Sequence, residues 1–364
     1  MRGGEKVLLS LARLFPEAPI YTLLHVPGSI TGELATREIH TSFVQHLPGA
    51  FRRYRYYLPL FPAAIASFDL RAYDLVISSS HCVAKGARSS PSATHVCYCH
   101  TPMRYVWDRY DDYFGPEHMS APLRWIMPPV ARALRAWDVR SARRVDHFAA
   151  NSHYVAGRIE RYYDRLARVI PPPVDDVYFT PGKMPPGEYD LVVSALVPYK
   201  RIELILAAYR DSGRRLLIAG GGSEEQRLRS LAPSEVTFVG RVSDAELRRL
   251  YQGCRAVVAA AVEDFGIVPL EAMACGRPAV VFAEGGGPET VTAGETGLIF
   301  RESTPQSLRE VIDSLRHVRF NVDVLRQRAQ AYGTAVFESK LRGFVDAAFA
   351  GRTGESTLTS ENEG

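Results

Sequence analysis

Apolar residues recur along this chain with two periods. Val7, Leu8, Leu11, Leu14 and Phe15 keep a helical spacing, which predicts an amphipathic helix near the start. Ile20 to Leu24 and Asp74-Leu-Val-Ile-Ser-Ser-Ser80 are short apolar runs that read as strands, the second ending in small polar residues as a strand leading to a ligand-binding edge should. His95-Val-Cys-Tyr-Cys-His100 is a further strand, terminated by Pro102, and Asp146-His-Phe-Ala-Ala-Asn151-Ser152 reads as a strand followed by a helix cap. Past Glu188 the alternation becomes regular, with apolar runs at 191–196, 216–219, 236–239, 256–261 and 279–282 separated by helical stretches. Such βα alternation predicts a parallel sheet. Ser223 with Gln226 and Ser243 with Glu246 read as capping boxes, and Thr304 before Pro305 as a helix start.

Between the two regions, Val169-Ile-Pro-Pro-Pro-Val-Asp-Asp176 and the proline-containing stretch to Glu188 cannot continue a helix. The expected organisation is therefore α/β, with two Rossmann-like domains at 1–170 and 189–335 and a linker at 171–188. A closing helix at 336–350 and a disordered polar tail at 351–364 complete it. A length of 364 residues suits two domains with proper cores. A domain of this class opens with a strand, and nothing ahead of Gly3 supplies one. Gly3 and Gly4 read as the turn after it, with Glu5 following, so the expectation is that the first strand is missing and Met1 is an internal methionine.

Composition removes several classes of function. The net charge of +4 is too small to suggest nucleic acid as a partner. The 5 cysteines are odd in number and hold no Cys-x-x-Cys pair, so neither a disulfide framework nor a zinc site is indicated, and a reducing cytoplasm fits. No apolar run approaches the roughly 18 residues of a membrane span. Two segments interleave basic and aromatic residues: Phe51-Arg-Arg-Tyr-Arg-Tyr-Tyr-Leu-Pro-Leu-Phe61, and Leu123 to Arg144 with Trp125, Arg132, Arg135, Trp137, Arg140 and Arg143. Such segments can lie on an anionic membrane surface; the first can equally be a buried aromatic helix with its arginines in solvent.

The most informative stretch is Glu263-Asp-Phe-Gly-Ile-Val-Pro-Leu-Glu271-Ala-Met-Ala-Cys-Gly276. It follows the apolar run at 256–261, with Pro269 near a helix start and Gly276 at its stop, so it reads as strand, turn and helix. The turn would lie at the carboxyl edge of the sheet, where the free amides of Gly266, Ile267 and Val268 suit an anion. Glu263 and Glu271 would accept hydroxyl hydrogens beside it. Anion and polyol together suggest a sugar nucleotide, whereas the plainer reading leaves Glu271 complementing a helix dipole and Glu263 in solvent. Val197-Pro-Tyr-Lys200-Arg201 follows an earlier strand of the same sheet, so Lys200 can reach the same crevice. Gly220-Gly-Gly222 is a tight turn without the dinucleotide fingerprint, which argues against an NAD enzyme.

The Glu263 string closely resembles the donor-site signature of the family-4 retaining glycosyltransferases. The Pro198-Tyr-Lys-Arg201 turn, Gly285-Gly-Gly-Pro-Glu289 and the run His100-Thr-Pro-Met-Arg-Tyr-Val-Trp107-Asp108 also resemble that family. The resemblance implies a GT-B fold, two Rossmann-like domains facing across a cleft, with the donor on the second domain and the acceptor on the first. It implies transfer of a mannose- or glucose-type hexose, with retention, from a nucleotide-diphosphate sugar to a glycan or polyprenyl-diphosphate-linked acceptor in cell-surface polysaccharide synthesis. The enzyme would be cytoplasmic, or peripheral on the inner face of the membrane. It assigns Glu263 to the sugar hydroxyls, Glu271 to the ribose, and Phe265 to Val268 to the donor with the diphosphate on the amides. Lys200, helped by Arg201, falls to the leaving diphosphate, His100 to the donor sugar near the acceptor, Gly3, Gly4 and Glu5 to the acceptor side, and Asn151 and Ser152 to a place close to the cleft, although capping alone would explain Ser152. The family's arginine ahead of the lysine is replaced by Ala195. No cofactor is expected, and with no Asp-x-Asp in the chain no metal either. A sugar-nucleotide epimerase or hydrolase on the same fold and a non-catalytic donor-binding subunit are the alternatives.

Overall fold

The structure is a computed structural model and describes residues 3–30, 32–115, 121–183, 185 and 187–360; Met1 and residues 361–364 of the expected tail lie outside these. The chain forms two compact units, residues 1–172 with 337–364, and residues 173–336. The stretch expected to be a linker is for the most part built into the second unit. Val174 and Phe179 are core residues there, and the Val174 amide donates to the Tyr332 carbonyl at 2.9 Å. Prolines stop a helix without preventing burial, so a helix-breaking run is not by itself a hinge.

In the first unit, β1 (Ile20–Thr22) and β2 (Ile39–Thr41) form a parallel pair. β3 (Leu75–Ser80), β4 (Thr94–Cys99), β5 (His147–Ala150) and β6 (Ala167–Val169) form a second parallel sheet in that spatial order. Among the described residues no strand joins the two sheets. The helix Gly3–Leu14 includes both early glycines in its first turn, so they are not the turn that the sequence suggested. It buries Val7 and Leu11 against Val96 and Tyr98 of β4 and Ala149 of β5. Phe337, Leu341, Phe344 and Val345 of the helix Thr334–Ser360 share that core. This last helix continues to Ser360 instead of giving way to a disordered tail at residue 351. Elongating an existing helix costs little even through polar residues.

The aromatic-basic segment is divided between both of its expected roles. It folds as the short helix Ala50–Arg53, a 3-10 turn over Tyr54–Leu60 and the helix Phe61–Ala66. Leu58 and Ile65 enter the core beside Ala131 and Leu134 of the helix Ala121–Ala142, while Tyr56 is 74% exposed. On the long helix Trp125 is 85% exposed.

The second unit holds β7 (Tyr189–Val193), β8 (Arg215–Ala219), β9 (Val236–Gly240), β10 (Val257–Ala259), β11 (Ala279–Phe282) and β12 (Gly297–Phe300). They make one parallel sheet in the order β12-β11-β10-β7-β8-β9. Alternate residues of each strand enter the two cores: Val192, Ile218 and Val258 on one face, Leu191, Val257 and Ala279 on the other. This period of two, with both faces covered, accounts for the unbroken apolar runs. Strand order reverses between β7 and β10, which makes their carboxyl ends the switch point where ligands of such sheets bind. The capping box of Ser243 and Glu246 is present, and Thr304 caps its helix through the Ser307 amide at 3.2 Å. Ser223 is not a cap: the helix Glu225–Leu231 starts after Glu224, whose amide donates to the Leu196 carbonyl at 3.0 Å.

Candidate active site

Lys200 ends the turn that follows β7, and Glu263 lies just past β10, so the two neighbouring strands of the switch point deliver them to one place. Lys200 Nζ and Glu263 Oε1 are 2.5 Å apart and only partly exposed. Both line a cavity of about 110 Å³ with Ser194, Gly266, Ile267, Val268 and Gly287. Gly266 stands at the N-cap of the helix Ile267–Ala274 with φ 94°. A residue with a side chain is strained there, and the amides of the first turn have no intrahelical acceptor. The pocket thus presents a cation, a carboxylate and a helix N-terminus, which together suit an anion carrying hydroxyl groups.

The glycines around it have separate tasks. A Cβ on Gly285 would lie 2.5 Å from the Glu263 carbonyl, and one on Gly286 would lie 2.5 Å from the Asp264 carbonyl. Their absence lets the turn after β11 pack directly on the Glu263 loop, and the Gly286 amide donates to the Glu263 carbonyl at 2.7 Å. At Gly220 and Gly222 the close neighbours would be the carbonyls of Ser194 and Leu196, at 1.8 and 2.1 Å. Gly220 and Gly222 thus let the turn after β7 pack directly on this one.

Glu271 is not among the cavity-lining residues. It is 7% exposed and accepts a hydrogen bond from the Tyr251 hydroxyl at 2.8 Å. Phe265, expected at the donor, is a core residue whose ring lies against Tyr332, so only its backbone is near the turn. Arg201, expected to assist Lys200, points elsewhere. It adopts a left-handed conformation (φ 54°), donates to Ser303 Oγ at 2.7 Å and lies over the Phe282 ring, lining a different cavity of about 440 Å³. Adjacency in sequence did not carry over because Arg201 begins the next helix, Ile202–Tyr209, which turns its side chain away.

In the first unit, β4 delivers His100 to the edge beside the end of β3. Its amide donates to the Ser80 carbonyl at 2.8 Å, and Nε2 hydrogen-bonds Ser79 Oγ at 2.8 Å. Burial, followed by repulsion from His81 and Arg104, lowers its pKa to about 3, so the imidazole is neutral near pH 7. A Cβ on Gly4 would meet the ring at ordinary contact distance, which puts the first turn of the helix Gly3–Leu14 beside His100; Glu5 is exposed in that turn. Asn151 and Ser152, expected close to the cleft, commit their side chains to the fold. Asn151 Nδ2 donates to the His100 carbonyl at 2.9 Å, and Ser152 Oγ donates to Asn151 Oδ1 and accepts from the Val155 amide, both at 3.0 Å.

The loop after His100 is held by Arg158 and Asp138, which no sequence pattern marked. Arg158 Nη1 donates to Thr101 Oγ1 at 2.5 Å and pairs with Asp108. The fully buried Asp138 pairs with Lys85 and accepts from Trp107 Nε1 at 2.9 Å and from the Tyr163 hydroxyl at 2.7 Å. Their partners are far apart in sequence, so only the folded chain reveals the network.

Residues 1–178 match the family model described as glycosyltransferase family 4, and residues 182–336 match the one described as glycosyl transferases group 1. Together the two matches support a family-4-like glycosyltransferase. Among curated relatives, the GDP-mannose-dependent alpha-(1-6)-phosphatidylinositol monomannoside mannosyltransferase of Mycobacterium tuberculosis is 32% identical over 242 residues, 58% of this chain and 60% of that protein. The D-inositol 3-phosphate glycosyltransferase of Segniliparus rotundus is 28% identical over 47% of this chain and 44% of its own length. The chain therefore spans about three fifths or less of these relatives. Among solved structures, sucrose-phosphate synthase from Thermosynechococcus elongatus superposes with a TM-score of 0.69 at 20% identity, covering 94% of this chain and 91% of that one. The Anabaena Alr3699/HepE protein in complex with UDP and glucose gives 0.65 at 17%, covering 95% and 96%. At these identities the likeness establishes the fold: this is a GT-B glycosyltransferase architecture of two α/β domains.

Proposed function

We propose that the protein transfers a hexose from a nucleoside-diphosphate sugar to a glycan or lipid-linked acceptor, with retention of anomeric configuration, in the synthesis of a cell-surface polysaccharide. The observation that carries this reading is the Lys200–Glu263 pair at the N-terminus of the helix Ile267–Ala274. The donor diphosphate occupies the first-turn amides and Lys200, whose charge stabilises the negative charge that develops as the glycosidic bond to phosphate breaks. Glu263 accepts hydroxyl hydrogens of the sugar, and Glu271 those of the ribose. The acceptor oxygen forms the new bond to the anomeric carbon, and its proton passes to the departing phosphate oxygen. His100, being neutral, serves as a hydrogen-bonding partner on the sugar and acceptor side and not as a cationic acid. Arg201, by its contacts, has no part in diphosphate binding. Lys200 and the amides supply the positive potential, so no divalent metal takes part.

The relatives' names point to GDP-mannose as the first donor to try, and the phosphatidylinositol acceptor in one of them points to a lipid-linked acceptor. The exposed Tyr56 and Trp125, on segments of the first unit that also expose Arg52, Arg53, Arg132 and Arg140, support contact with an anionic membrane at the cytoplasmic face. Thermal shift against GDP-mannose, UDP-glucose and UDP-N-acetylglucosamine, followed by transfer assays in EDTA with and without anionic vesicles, tests the whole proposal. Stabilisation by one sugar nucleotide and acceptor-dependent, EDTA-resistant turnover stimulated by vesicles is the expected result. Binding of none refutes the donor site; product without acceptor would favour an epimerase or hydrolase, and binding without any turnover a non-catalytic subunit.

A further inference from the structure

We infer that Tyr251 is a positioning residue for the donor site, acting through Glu271. Tyr251 lies near the end of the helix Asp244–Gly253 and is completely buried. Its ring stands edge-on to Phe179 and packs in the same core as Leu270, Met273 and Cys275. That core fixes the direction of the hydroxyl, which donates to Glu271 Oε2 at 2.8 Å. Glu271 belongs to the helix whose first turn lines the Lys200 cavity, but it is itself 7% exposed. A carboxyl group so nearly enclosed needs hydrogen-bond partners for its oxygens, and the group that supplies one also sets the plane in which the other oxygen faces.

Burial, the Glu271 charge and this hydrogen bond all push the phenol pKa well above its ordinary value, so at neutral pH Tyr251 keeps the proton that it donates to Glu271. The hydroxyl is thus committed to orienting Glu271. Tyr251 is not among the cavity-lining residues, and it belongs to a helix outside the Glu263–Gly276 string.

The inference rests on Glu271 contacting the donor nucleotide. In the intact protein, Tyr251→Phe removes one oxygen and leaves the packed ring, so it should raise the donor KM about tenfold, the scale of one hydrogen bond to a charged group, with kcat nearly unchanged. Nucleoside-diphosphate affinity should weaken by the same factor. In a Glu271→Ala background the same substitution should add nothing, because the group it orients is gone. Equal losses in both backgrounds, or a fall in kcat and thermal stability with KM unmoved, would make Tyr251 merely structural and overturn the inference. If Tyr251→Phe is poorly folded, Glu271→Gln, whose amide oxygen still accepts from Tyr251, replaces it. A Gln variant binding donor no better than Glu271→Ala would also overturn the inference. Unchanged donor affinity in Glu271→Ala itself would instead refute the ribose contact, which separates the two failures.

Discussion

The two units use the same kind of strands to different effect. In the second, β7 lies between β8 and β10 and joins both halves of one sheet, so the turns after β7 and β10 meet at a single pocket. In the first, the β1–β2 pair and the β3–β6 sheet have no such strand between them among the described residues. What gathers side chains there is a set of polar anchors: Asp138 with Lys85, Trp107 and Tyr163, Arg158 with Thr101 and Asp108, and Asn151 on the His100 carbonyl. The parallel sheet of the second unit brings its site together by topology, whereas in the first unit buried polar groups hold His100 and its loop.

The contrast can be broken at its strongest point first. Lys200→Ala should lower kcat about 100- to 1000-fold, roughly 3 to 4 kcal/mol, the range seen when one preorganised electrostatic contact to a transition state is lost. Steady-state kinetics with the donor found by thermal shift decides it, and a loss below threefold would remove Lys200 from the chemistry.

A somewhat smaller effect concerns acid stability. His95 is buried on β4 beside Ser78, and burial lowers its pKa from 6.5 to about 4. Its folded pKa lies below its unfolded value, so the unfolded chain binds the extra proton. The stability involved is intact above pH 6.5 and is lost as the pH falls towards 4. For His95 the difference amounts to about 3 kcal/mol, and His100, lowered to about 3, acts in the same direction. Trp107, Trp125 and Trp137 all belong to the first unit, so tryptophan fluorescence reports that unit alone. Urea midpoints followed by fluorescence at pH 7, 5.5 and 4.5 should fall steeply, and a ligand-dependent signal from the second unit should fall less. Parallel declines would show that the buried histidines of the first unit do not distinguish the units.

The smallest expected effect sharpens the comparison within the second unit. Arg201→Ala should change donor KM and kcat by less than about twofold, since its hydrogen bond to Ser303 is exposed and such contacts are worth under about 1 kcal/mol. A tenfold effect in donor titration would place Arg201 at the diphosphate after all.

Much of the second unit was legible in the residues because its determinants are local. Both faces of its sheet are covered, so its strands are unbroken apolar runs, and Gly266 and Pro269 punctuate the passage from the strand Val257–Ala259 to the helix Ile267–Ala274. The three-residue strands β2 and β6 were not legible, nor was β12, because so short a run carries no period. Some local signals misled. Gly3 and Gly4 resemble a turn but are helical, Ser223 has the spacing of a cap and is not one, and Phe265 sits inside a ligand motif yet fills the core.

The sequence by itself determined the α/β class, the division into two domains and the turn on which Glu263 and Gly266 lie, since each depends on neighbours within a few residues. Tertiary structure alone decided that Lys200 meets Glu263, that Arg201 turns to Ser303, that Asn151 holds His100 and that Tyr251 holds Glu271. Those pairings span up to 102 residues of chain. They follow from strand order and from which way each helix leaves its turn, neither of which leaves a periodic mark on the sequence.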